Sequence, residues 1–151
     1  MIKMIKINRR IYGLGSLFSL VIGIGIYLFF RNSNMLLFEL IPKLAYFKDI
    51  YIPINRSFYS SMLLFNLPDA LWFLSGILFL RFIWFYKLKE QNVYLFCFYL
   101  MGAVFEISQL SINIPGTFDI LDLLFMGIVA FVEGLLYKKI FIERKKDEKR
   151  K

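Results

Sequence analysis

The sequence contains no histidine, a single cysteine and only four prolines in 151 residues. Without histidine there is no Ser-His-Asp triad, no imidazole acid–base chemistry and almost no zinc, copper or haem site of the usual kind. A lone cysteine, Cys97, forbids a disulfide within the chain, and its place in an apolar segment marks it as a buried structural thiol. Acids are scarce as well, with 11 Asp and Glu against 19 Lys and Arg, for a net charge of +8. Chemistry is therefore left to carboxylates, amides and hydroxyls. No cofactor is called for, and a hard cation such as Mg²⁺ on carboxylates is the one inorganic group the residue types would accept.

What the chain has in quantity is apolar surface. Hydrophobic residues make up 59% of it, aromatic residues 19%, and the mean hydropathy is +0.62. A single domain of this length has too high a surface-to-volume ratio to hide that much apolar area from water. The composition predicts an all-α, polytopic membrane protein with lipid as much of its solvent. The basic residues flank the apolar runs, so their role is orientation in an anionic membrane, and nucleic acid is not an expected partner.

The spacing predicts four transmembrane helices at about 11–30, 70–86, 93–110 and 118–137, each near the ~20 residues that a bilayer crossing needs. The first apolar run exceeds the ~7–15 residues of a signal-peptide core and no small-residue cleavage site follows, so it is an uncleaved helix. Residues 35–46 are apolar but broken by Glu39, Pro42 and Lys43, which suits an interfacial or re-entrant segment in the first outer loop. Asn66-Leu67-Pro68-Asp69 looks like the start of the second helix: an N-cap, a proline in the first turn and an acid at the positive end of the dipole. Lys89-Glu90-Gln91-Asn92 and the Pro115-Gly116 segment read as turns, and 138–151 as a charged cytoplasmic tail. One domain, 1–137, thus carries the fold. Lys3, Lys6, Arg9, Arg10, Lys87, Lys89 and the basic tail place both termini in the cytoplasm, against only Arg31, Lys43, Lys48 and Arg56 outside.

That topology gathers polar residues at the outer face. Asp69 opens the second helix, Glu106 and Gln109 close the third, and Asp119 and Asp122 open the fourth. Glu106 and Gln109 are spaced i,i+3, as are Asp119 and Asp122, so each pair projects from one side of its helix. An ionised residue at the centre of a membrane helix costs roughly 2.5–3.5 kcal/mol, and less near the interface. Glu106 is deep enough for the cost to matter, and with Gln109 and Asp122 it marks a ligand-binding pocket. Asp69 and Asp119 fit that pocket and fit equally well as first-turn acids that complement the dipole. Arg81 and Glu133 reach a similar depth on the other side of the bilayer, as an interhelical ion pair or with Arg81 snorkelling to the inner headgroups. Gly13, Gly15, Gly23 and Gly25 allow the first helix to pack closely.

The segment Glu106-Ile107-Ser108-Gln109, followed by Pro115-Gly116-Thr117-Phe118-Asp119-Ile120-Leu121-Asp122, resembles the signature of VanZ-like membrane proteins. The likeness covers about 30 residues, from Glu106 to Gly134. The chain departs from the family pattern at Thr117, where Arg is usual, and at Met126, where Asn is usual. The resemblance implies a multi-pass protein of the bacterial inner membrane, linked to the cell envelope and to teicoplanin susceptibility, with Glu106, Gln109, Asp119 and Asp122 as the matching residues. Three functions are compatible with these residues. One is non-enzymatic binding of an envelope lipid, precursor or glycopeptide. The second is carboxylate catalysis on a lipid-linked substrate. The third is a small transporter, for which four helices are few so that an oligomer would be needed, or an accessory subunit of a transporter.

Overall fold

The computed structural model describes residues 2–30, 58–111 and 118–149, with side chains from 9–30, 64–111 and 118–138. The expected interfacial segment at 35–46 and the Pro115-Gly116 turn lie outside these residues. Within them the chain is all-helical: α1 (Ile2–Phe30), α2 (Phe58–Ile83), α3 (Leu88–Ser108) and α4 (Ile120–Lys149).

Helix α2 is the centre of the fold and packs against each of the other three. Its partners alternate in direction. Ser16 of α1 meets Ser75 while Arg9 meets Phe82, so α1 and α2 run antiparallel. Phe73 stacks on Phe98 of α3 while Arg81 bonds Gln91, so α3 is also antiparallel to α2. Asn66 bonds Asp122 of α4 while Arg81 bonds Glu133, so α4 runs parallel to α2. The starts of α1 and α3 therefore share one end with the finish of α2, and the start of α4 lies at the opposite end.

Among the described residues, three stretches are long and apolar enough to cross a membrane: Arg9–Phe30, Leu64–Ile83 and Ile120–Lys138, with mean hydropathies of 2.0, 1.3 and 2.0. Helix α3 is not among them, because Lys89, Glu90 and Gln91 at one end and Glu106 at the other dilute its apolar middle. The outward faces are apolar throughout. Ile11, Leu14, Phe18 and Val21 are exposed on α1, Phe96, Leu100 and Val104 on α3, and Leu124, Ile128, Phe131 and Leu135 on α4. These recur at three- and four-residue spacing and form continuous stripes. Patches of this extent are foreign to a water-facing surface, so lipid contact is their account.

Lipid offers no hydrophobic drive for helices to associate, so close packing and interhelical hydrogen bonds must do it. Between α1 and α2, the Ser16 and Ser75 hydroxyls each donate to the other residue's backbone carbonyl at 2.9 Å. A methyl at Gly23 would lie 2.6 Å from the Trp72 ring, and Gly13 and Gly15 face Phe82 and Leu78, so these glycines let α1 approach. Gly25, expected to do the same, meets no described atom within 4 Å. Between α2 and α3 the Phe98 ring fits over Gly76 and the Phe73 ring over Gly102, an exchange that stacks the two rings at 5.0 Å. Phe73, Ile77 and Leu95 form the buried core, flanked by Met126, Val129 and Ala130 of α4.

Several boundaries differ from the sequence reading. Helix α2 begins at Phe58, so Asn66 is not a cap and Asp69 is not a first-turn acid; Pro68 lies inside the helix. Proline in a helix interior removes one N–H and frees one carbonyl, a loss that neighbouring helices in a bundle can absorb. Helix α3 begins at Leu88, so Glu90 and Gln91 belong to its first turn and the bend falls at Trp84–Lys87. The helix also carries Cys97 on its exposed face rather than buried, among apolar neighbours that suit a thiol. Helix α1 begins at Ile2, before the charged cluster, and α4 continues past Tyr137 to Lys149.

Candidate functional site

Two polar clusters sit about 22 Å apart along α2, by the helical rise between Asn66 and Arg81. The first lies where α3 finishes and α4 starts. Asn66 is 2% exposed, and its amide donates to Asp122 Oδ1 at 2.8 Å and to Asp119 Oδ2 at 3.3 Å. One side chain of α2 thus holds two carboxylates at the start of α4, one just before the helix and one in its first turn. Asp119 sits just before α4, and its Oδ1 accepts the Leu121 N–H at 2.9 Å, the bond of an N-cap. Glu106, 4% exposed, accepts the Asp119 N–H at 3.0 Å through Oε1 and the Gln109 amide at 3.2 Å through Oε2. Gln109, the residue that caps α3 just after Ser108, thereby orients Glu106 toward the start of α4. Asp69 is half-buried one turn beyond Asn66, and it, Glu106 and Asp119 all lie within electrostatic reach of Asp122.

The five residues expected at this site, Asp69, Glu106, Gln109, Asp119 and Asp122, are thus all at one end of the fold. Asn66, which joins Asp119 and Asp122 to α2, was not among the residues expected here. Its spacing of three from Asp69, which puts both on one face of α2, was the signal available. The donors seen here are amides and backbone N–H groups. No Lys or Arg occurs in 58–80, 93–111 or 118–137, so the described helices bring no cation to the carboxylates. Among the described residues there is no set of three or more acidic side chains arranged to hold a metal ion. The cluster is an acceptor-rich surface suited to a donor-rich or cationic group.

The second cluster is closed. Arg81, 5% exposed, donates from Nε and Nη2 to the two oxygens of Glu133, each at 3.0 Å. This bidentate geometry is the strongest form of the pair. Its Nη1 donates to Gln91 Oε1 at 2.9 Å, and its guanidinium carbon lies 3.5 Å from the centre of the Tyr137 ring. Gln91 has no exposed surface, and its amide reaches the Arg81 and Trp84 carbonyls at 3.4 Å. A residue from the first turn of α3 thus covers the Arg81 carbonyl at the end of α2 and shares the Trp84 carbonyl of the bend with the Lys87 N–H. Arg81 is held inward by this network rather than snorkelling.

Fold and clusters together define a class: over its described residues, an all-helical protein with three helices long and apolar enough to span a bilayer, apolar outer faces, and buried polar groups held at two levels. No protein-family model, curated protein sequence or solved structure matches the chain.

Proposed function

We propose that this is a four-span, VanZ-like protein of the bacterial inner membrane, with both termini cytoplasmic. Its outer carboxylate–amide cluster binds an envelope lipid, a precursor or a glycopeptide without catalysis. The observation that carries the reading is the gathering of Asp119 and Asp122 on the Asn66 amide, with Glu106 on the Asp119 N–H, at one end and with no basic residue on the described helices beside them. Carboxylate acceptors to which the described helices bring no basic residue favour a ligand that brings N–H or ammonium donors, a description that fits amine headgroups and glycopeptides. The fourth span is α3. Since α2 and α4 run parallel and each is long enough to cross, the chain must return between them, and α3 is the described helix that does so. Its 21 residues extend about 31 Å, close to the ~30 Å hydrocarbon core. The excess of Lys and Arg at the opposite end orients that end inward.

Expression in a glycopeptide-sensitive bacterium is expected to shift teicoplanin susceptibility. A Glu106→Gln/Asp122→Asn variant of equal membrane abundance is expected to lose the shift. An equal shift from the variant would remove the cluster from the function. Turnover of a lipid-linked substrate by purified protein, abolished by Glu106→Gln, would instead establish catalysis by the same carboxylates.

A further inference from the structure

A groove of about 500 Å³ runs along the outside of the α1–α2 pair. Leu14, Leu17 and Leu20 of α1 and Phe79 and Phe82 of α2 line it, and Arg10 closes one end. Ser16 also lines it, but its hydroxyl is bonded to the Ser75 carbonyl, so the wall is apolar up to Arg10. The two neighbouring arginines differ in their engagement. Arg9 donates from Nε to the Phe82 carbonyl at 3.1 Å and lies over the Phe82 ring at 4.7 Å. Arg10 is exposed, and no described residue bonds to it. We infer that this groove seats one acyl chain of an anionic phospholipid, with the lipid phosphate on Arg10.

Length and charge both select this occupant. From Arg10 to Leu20 the groove covers about 15 Å of helix, which is half of the ~30 Å hydrocarbon core and so the depth of one leaflet. A transmembrane partner helix would need a track through both leaflets. Copies of this chain inserted in one membrane also share an orientation. A second copy laid in the groove would bring its own basic end, with Lys3, Lys6, Arg9 and Arg10 or with Lys87 and Lys89, beside Arg10. An anionic headgroup meets the same charge with attraction, as juxtamembrane basic residues do at anionic leaflets. The inference rests on membrane insertion alone and is independent of what the opposite cluster binds.

The test uses full-length protein in detergent, loaded with phosphatidylglycerol or phosphatidylcholine and followed by native mass spectrometry. Wild type is expected to retain phosphatidylglycerol several-fold better than phosphatidylcholine. Arg10→Gln should abolish that preference, Arg10→Lys should restore most of it, and Leu17→Trp, which fills the groove, should reduce retention of both lipids. Both positions are exposed, so thermal unfolding should match wild type. Equal retention of the two lipids by wild type, an unchanged preference in Arg10→Gln, or full retention in Leu17→Trp would each overturn the inference. So would a wild-type dimer that Leu17→Trp dissociates, because a second copy would then be the occupant.

Discussion

Glu133→Ala and Arg81→Ala are each expected to destabilise the protein by about 3–5 kcal/mol, measured by thermal or denaturant unfolding in detergent micelles. Each change leaves one charge buried without its partner: both residues are 5% exposed and joined by two 3.0 Å hydrogen bonds. Truncating Arg81 also strips a donor from the fully buried Gln91. Replacing both together, as Arg81→Met/Glu133→Leu, removes both charges and substitutes apolar bulk. That double variant should recover most of the loss, since a buried ion pair weighs little against well-packed apolar residues of similar volume. The excess of the single effects over the double is the coupling energy of the pair. Single variants that unfold like ordinary surface substitutions, within about 0.5 kcal/mol of wild type, would mean that the pair is solvated.

Asn66→Asp is expected to be the most damaging conservative change in the other cluster. The Asn66 amide lies 2.8 Å from the Asp122 carboxylate of α4 and 3.3 Å from that of Asp119, just before the helix. Asn66→Ala removes the donor, with an expected loss of about 1–3 kcal/mol. Asn66→Asp removes it and adds a like charge, whose repulsion at ~3 Å reaches roughly 5 kcal/mol at an effective dielectric of ~20. Asn66→Asp/Asp122→Asn restores an amide between α2 and α4 and should recover stability. Both are read from the same unfolding curves. If Asn66→Asp matched wild type, α2 would not hold the start of α4 in this way.

Much of this arrangement is legible in the sequence because helical rise is a ruler. Counting residues from the helix ends puts Arg81 and Glu133 at one depth and Glu106, Asp119 and Asp122 at another, and the two depths are the two clusters of the structure. The i,i+3 pair Glu106 and Gln109 is joined by the hydrogen bond that its spacing allows. What misled the reading was local polarity. Asn66-Leu67-Pro68-Asp69 has the chemistry of a helix start in water, yet α2 runs through it, because buried backbone groups must bond within the helix and adjacent helices compensate for the proline. Gln91 sits among Lys89, Glu90 and Asn92 and so reads as part of a turn, although it has no exposed surface and bonds Arg81. Its spacing of four from buried Leu95 places it on the inner face of α3, a pattern that four consecutive polar residues conceal. The exposure of Cys97 was hidden for the opposite reason. In a lipid-solvated helix both faces are apolar, so composition does not tell the packed face from the outer one.

The most direct test of the four-span account is the sidedness of α3. In a Cys97→Ser background, single cysteines at Ser111 and Lys89, both exposed, mark the two ends of this helix. A membrane-impermeant maleimide applied to intact cells should label Ser111→Cys at once and Lys89→Cys only after the membrane is permeabilised. Labelling of both positions from the same side would mean that α3 does not cross, and would contradict the account.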